Sequence, residues 1–228
     1  MCIHFKENLY MKIGILGSGD VGRRLGDGFI ELGHSVKIGS RDPNKKDISQ
    51  WVSNHGGEEG KASSGSFAEA ASFAELIVLA TLWNGTANAI IMADQKNFTG
   101  KVVVDVTNPL DFSKGMPSRL AVGHTDSGGE TIQRILPQSK VVKAFNIVGN
   151  PHMVHPDFPG GPPTMFICGN DDESKKVVTD KILTPFGWET VDIGGIEVSH
   201  LLESLALLWI TYYFRTNTGN HAFKLLRK

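Results

Sequence analysis

Apolar and polar residues alternate along this chain in blocks that predict a strand and helix series. Residues 12–16 form a short apolar run, and 20–32 carry apolar positions at helical spacing before Gly33, a residue suited to ending a helix. A second strand over 35–39 closes a βαβ unit of about 30 residues. The pattern then predicts a short helix over 48–54 ending at Gly56 and Gly57, a weak strand over 61–63 and a helix over 66–71. Ser66 and Glu69 have capping-box spacing at that helix start. The run 76–81 is continuously apolar, as in a parallel strand buried on both faces, and it ends in a loop over 81–85. Further along come a helix over 86–95, a strand over 101–106, a helix over 129–136 and a strand over 140–146. Between them, 110–126 reads as irregular and long enough for a lid, and 153–163 as coil. A strand over 164–169, a helix opened by the acidic stretch 170–173 and a last strand over 188–193 complete the series.

The end of the chain departs from this rhythm. Residues 197–218 predict one long helix that is apolar on most of its surface through Leu201, Leu202, Leu205, Leu208 and Ile210. Phe223, Leu225 and Leu226 continue the theme. A helix apolar nearly all round needs cover on several sides, which predicts a homodimer formed through this segment.

Chemistry enters at the first turn. Gly17, Gly19 and Gly22 stand in the spacing G-x-G-x-x-G after a strand and at the start of a helix, with Ser18, Asp20 and Val21 between them. The first glycine permits a tight turn, the second lets backbone approach a pyrophosphate, and the third lets helix pack on strand. The helix N-terminus offers free N–H groups to phosphate. This is a dinucleotide site, and the fold it predicts is α/β: a doubly wound parallel sheet of Rossmann type with a short helical C-terminal extension. Residues 1–10 are then a leader, 11–195 the nucleotide-binding domain and 196–228 a helical dimerisation segment. The tip of the second strand selects the nucleotide. An NAD site usually carries Asp or Glu there, whereas this chain has Ser40 and Arg41, with Lys45 just beyond. A hydroxyl, a forked guanidinium and an amine suit a 2′-phosphate, so NADP is expected. Asp42 falls one position late and is expected to turn the chain with Pro43.

Ligands of open α/β sheets bind beyond the C-terminal ends of the strands. Thr81, Leu82 and Trp83 at one strand tip, and Thr107 and Asn108 at another, are therefore expected near the cofactor. His34 is expected at the surface, and nothing in the spacing selects His124 or His200. His152 and His155 lie in coil without a matching carboxylate cluster, so no metal site is expected. No G-x-S-x-G elbow or acid–base pair is evident.

Composition narrows the class. In 228 residues the formal net charge is −1, which gives no basic field for nucleic acid or a membrane surface. Cys2 and Cys168 are too few and too distant for a disulfide framework, which fits a reducing cytoplasm. No apolar run reaches the length of a membrane span, and the first ten residues lack a signal-peptide core.

Several stretches together resemble the F-420-dependent NADP oxidoreductases (NADPH:deazaflavin reductases) and, more distantly, the NADPH-binding domain of the STEAP metalloreductases. They are residues 13–22, 33–41, 141–146, 168–178 and 201–205. The resemblance implies that Ser18, Ser40, Arg41 and Lys45 hold the 2′-phosphate. It also implies that Thr81, Leu82 and Trp83, with the loop Asn146, Val148 and Asn150, hold the nicotinamide half, and that the C-terminal helices form a dimer. The stretch Ala144, Phe145 and Asn146 is closer to the metalloreductase domain. The expected function is hydride transfer between NADPH and a small-molecule redox acceptor, either deazaflavin F-420 or a flavin (FMN or FAD). The alternatives are a flavin-dependent ferric reductase and a non-catalytic NADP(H) sensor.

Overall fold

The computed structural model describes residues 10–56 and 60–228, so most of the leader, with Cys2, and Gly57 at the expected helix end lie outside the described residues. The first βαβ unit is β1 (Lys12–Leu16), α1 (Asp20–Glu31) and β2 (Ser35–Gly39). Helix α2 (Lys46–Asn54), β3 (Ala62–Gly65), α3 (Phe67–Phe73) and β4 (Leu76–Leu79) follow. Ser66 caps α3 with Glu69 in the reciprocal capping box that their spacing predicts. Helix α4 (Trp83–Met92) starts earlier than the sequence pattern predicts, so Trp83 is a helical residue and not a loop residue. Next come β5 (Val102–Asp105), β6 (Leu110–Asp111), β7 (Arg119–Leu120), α5 (Gly128–Ile135) and β8 (Lys140–Lys143). The chain closes with β9 (Thr164–Gly169), α6 (Asp172–Val178), β10 (Glu189–Asp192) and α7 (Ser199–Thr216).

Among the described residues the main sheet has eight strands in the order β10-β9-β8-β5-β4-β1-β2-β3. Strand order runs outward from β1 on both sides, through β2 and β3 one way and through β4, β5 and β8 the other, as in a doubly wound sheet. Strands β1, β2, β3, β4, β5 and β8 run parallel, but β9 is antiparallel to β8, and β10 is parallel to β9. The doubly wound parallel sheet expected from the sequence is present, with one antiparallel pairing, of β8 with β9, toward one edge. The segment between β8 and β9 contains no crossover helix, only a 3₁₀ turn at Asn150–His152, so the chain returns in the opposite sense. The region expected to be irregular also holds structure, because β6 and β7 pair as a short antiparallel ribbon.

Central strands bury both faces. Ile13, Ile15, Val78, Val103, Val104 and Val142 are fully enclosed. His34, expected at the surface, is 3% exposed. Its ring packs near Phe29 and its Nδ1 accepts the Met11 backbone N–H. Burial, and then Lys61 and Lys181, hold its pKa below the ordinary histidine value.

Helix α7 ends at Asn217, whose φ of 51° closes it in the left-handed conformation. The tail does not continue the helix. It runs back beside β9, where the Thr164 N–H donates to the Phe223 carbonyl and the Leu225 N–H to Thr164 Oγ1. No described helix is long and apolar enough to cross a membrane.

One charged cluster crosses the core. Lys143, Asp105 and Glu203 have fully buried side chains, and Lys143 Nζ lies 2.7 Å from Asp105 Oδ2 and 3.0 Å from Glu203 Oε1. Burial opposes the Lys143 charge, but the two carboxylates outweigh it and raise its pKa. Because the folded value is raised, the stabilisation is complete below the unfolded lysine pKa and is lost only as pH rises through the folded one. Replacement Lys143→Met, which leaves two buried carboxylates without their cation, should cost about 3–5 kcal/mol in urea unfolding at neutral pH.

Candidate functional site: the cleft over the strand ends

The loop between β1 and α1 is shaped by its glycines. Gly17 has φ of +128°, and a Cβ there would lie 2.2 Å from the Ala80 carbonyl oxygen, so only glycine fits. A Cβ on Gly22 would lie 2.1 Å from the Gly17 carbonyl oxygen, which is the close packing of helix and turn that the spacing predicts. Gly19 differs from both. Nothing stands within 4 Å of its Cβ position, and the residue is exposed. The loop is therefore tight beneath and open above, and the unpaired N–H groups of the first turn of α1 face a space that admits a ligand.

Asp20 is an acid at this helix start, where it would repel phosphate. Arg23 offsets it: Nη2 donates to Asp20 Oδ1 at 2.6 Å while Nη1 donates to the Ser18 carbonyl at 2.7 Å. Val21, half-buried, packs on the core.

The β2 tip meets the glycine loop directly. The Gly17 N–H donates to the Gly39 carbonyl, and Ser18 Oγ lies 3.4 Å from Ser40 Oγ. Ser40 Oγ also accepts the Asp42 N–H, and Asp42 in turn accepts from the Asn44 N–H, which is the turn expected there. Arg41 is exposed and makes no ion pair among the described residues, whereas exposed Lys45 lies 3.7 Å from Asp47. Two hydroxyls and a free guanidinium at the strand tip fit the 2′-phosphate of NADP, and no carboxylate occupies the position that would contact a free ribose hydroxyl.

The other predicted residues divide. Thr81 pairs its hydroxyl with Thr86 at 2.8 Å, and Leu82 is 81% exposed at the β4 exit. The Trp83 ring lies against Gly128, with Cζ3 at 3.1 Å from the Cβ position there, so it packs between the β4 exit and the start of α5. Thr107 turns inward. It is 3% exposed, and both its N–H and its hydroxyl donate to Asp105 Oδ1. Asn108 and Asn146 interlock: Asn108 Nδ2 donates to the Asn146 carbonyl at 2.8 Å, and Asn146 Nδ2 donates to Asn108 Oδ1 at 3.0 Å. Val148 is part of the core, and Asn150 begins the 3₁₀ turn after β8.

Strand β8 ends at Lys143, short of the predicted Asn146, because Phe145 adopts φ of 63°. A bulky residue in the left-handed region is strained. Complete burial and a contact between its N–H and Met165 Sδ hold it there.

Asp105, Lys143 and Glu203 are the residues near this cleft that motif reading passes over. Each was nonetheless marked in the sequence. Asp105 ends the run Val102, Val103, Val104, and Lys143 follows Val141 and Val142, so each is a charge directly after an apolar run. Glu203 stands among leucines on α7.

Comparison with known proteins agrees with this geometry. Residues 12–109 match the family model described as NADP oxidoreductase, coenzyme F420-dependent. The F420-dependent NADP reductase of Methanocaldococcus jannaschii is 31% identical over 208 residues, covering 88% of this chain and 91% of that protein. Metalloreductase STEAP3 of Rattus norvegicus is 30% identical over 196 residues, but the match spans 86% of this chain and only 36% of that longer protein. A crystal structure of a candidate F420-dependent NADP reductase from Arthrobacter sp. FB24 superposes with a TM-score of 0.89 at 38% identity, covering 95% of this chain and all of that one.

The glycines give a paired test. Gly22→Ala should destabilise the fold by about 1–3 kcal/mol through overpacking. Gly19→Ala, which meets no protein atom, should leave the unfolding midpoint unchanged yet weaken NADPH binding at least tenfold. Denaturant titration and calorimetry on the same two variants check both halves.

Proposed function

We propose, for a chain that belongs to the coenzyme F420-dependent NADP oxidoreductase family, that it transfers hydride between NADPH and a flat two-electron acceptor, with deazaflavin F420 first and flavin second. That it is an NADP-dependent oxidoreductase follows from the family; the acceptor is the proposal. The observation that carries it is the full-length likeness to proteins named as F420-dependent NADP reductases, together with a cleft that offers surfaces and few ionisable groups. NADPH, when bound, supplies the hydride itself. The residues here bind and orient. The α1 N-terminus and Gly19 take the pyrophosphate, and Ser18, Ser40, Arg41 and Lys45 take the 2′-phosphate. Trp83 and exposed Leu82 provide apolar wall at the β4 exit. Phe112 and Met116, 54% and 46% exposed in the segment that joins β6 to β7, add apolar surface after β5 that would help exclude water from an acceptor ring.

The match to STEAP3 supports a second reading, in which a flavin accepts the hydride and passes electrons to ferric ion. The match covers about a third of that protein, so this reading concerns the NADPH-binding half-reaction alone.

Two further features belong to the proposal. Leu201, Leu208 and Tyr212 share one face of α7 and are each about half exposed, and we assign this uncovered apolar face to a homodimer contact. The unpaired, buried Cys168, whose thiol burial pushes up to about 11 despite the Ser199 hydroxyl beside it, suits a reducing cytoplasm. Equilibrium sedimentation should return twice the chain mass, and the chain mass alone would remove the dimer.

The deciding assay is anaerobic NADPH oxidation with F420, FMN, FAD or ferric chelate as separate acceptors. Turnover with F420 alone supports the first reading; turnover only with flavin, or flavin plus iron, supports the second. In the productive assay Arg41→Ala should raise the NADPH KM about tenfold or more, as expected for a lost charged hydrogen bond of about 1.5–3 kcal/mol, and leave the NADH KM unchanged.

A further inference from the structure

We propose that Glu203 of α7 is a positioning residue for the cofactor cleft, so that one turn of the C-terminal helix sets the strand ends on which the hydride-bearing half of the dinucleotide rests. The inference rests on the NADP reading above.

The connections run outward from that turn. Glu203 Oε2 accepts the Gly128 N–H and Oε1 the Gly129 N–H, each at 3.1 Å, which fixes the start of α5. The Trp83 ring from the β4 exit is seated on the same Gly128. Glu203 Oε1 also meets Lys143 Nζ, which donates to Asp105 Oδ2 and, at 2.9 Å, to the Thr107 carbonyl. Asp105 Oδ1 accepts the Thr107 N–H at 2.9 Å. The Thr107 peptide groups are thus held on both sides by the buried charges. Asn108, next in the chain, is interlocked with Asn146, and Asn146 Nδ2 also donates to the carbonyl of Leu202, the neighbour of Glu203. Three strand exits, after β4, β5 and β8, therefore lead to the residue pair Leu202 and Glu203.

Among the described residues, the glycine loop and the β2 tip have no such hydrogen-bonded link to α7. They are held by Gly17 to Gly39, Ser40 to Gly65 and Arg23 to Ser18. Loss of Glu203 should loosen one half of the cleft and leave the other intact. A residue needed only for global stability would not make that distinction.

The test compares two ligands by calorimetry on the folded full chain. NADPH spans the whole cleft, whereas adenosine 2′,5′-bisphosphate reaches only the glycine-loop half. Glu203→Gln keeps the side-chain shape and removes the charge. It should raise the Kd for NADPH at least tenfold and leave that for adenosine 2′,5′-bisphosphate within twofold of the original. Glu203→Asp, which keeps the charge but draws it back from the Gly128 and Gly129 N–H groups, should give the same split, and it carries the test alone if Glu203→Gln does not fold. Equal loss for both ligands in the folded variants, or no loss for either, would overturn the proposal. Failure of the unaltered protein to bind either ligand would instead overturn the NADP reading, and this inference with it.

Discussion

A lysine ammonium removed from water must be neutralised where it stands, and in this protein that requirement joins four elements. Lys143 on β8 faces Asp105 on β5 and Glu203 on α7, all without solvent exposure. Two carboxylates against one ammonium leave an excess negative charge, and the first N–H groups of α5 meet it through Glu203. Buried ion pairs are weak contributors to net stability, because desolvation consumes most of their attraction, but they are exacting about geometry. Glu203 ties the first half of α7 to β8 and to the start of α5 through that demand.

The glycine loop obeys a different constraint, that of space. Gly17 and Gly22 are pressed against carbonyl oxygens, while Gly19 opens outward. Steric exclusion shapes this half of the cleft and a buried electrostatic network shapes the other. The strained Phe145 marks the point where β8 hands over to the second regime, its φ of 63° held by a fully packed core.

The first βαβ unit was fully legible in the sequence, because its signals are local. Apolar periodicity, the glycine spacing and the Ser40–Arg41 tip each depend on residues close in the chain, as does the capping box of Ser66 and Glu69. Other features depend on long-range information. The antiparallel turn-back of β9 depends on how the segment between β8 and β9 finds its neighbour. His34 looked like a surface residue after a cap glycine, yet Phe29 and the Met11 N–H enclose it. At the β5 tip, Asp105 takes both the N–H and the hydroxyl of Thr107.

The sequence by itself determined the fold class and the tight glycine turn that opens the first βαβ unit, because backbone sterics at a turn act over a few residues. Only the tertiary structure decided that Asp105, Lys143 and Glu203 belong together. They come from β5, β8 and α7, and a single sequence carries no record of which buried charge answers which. It likewise decided that Asn108 and Asn146, separated by 38 positions, lock the same pair of strand ends. Contacts of that kind form only once the sheet order is set, and the sheet order is a property of the whole chain.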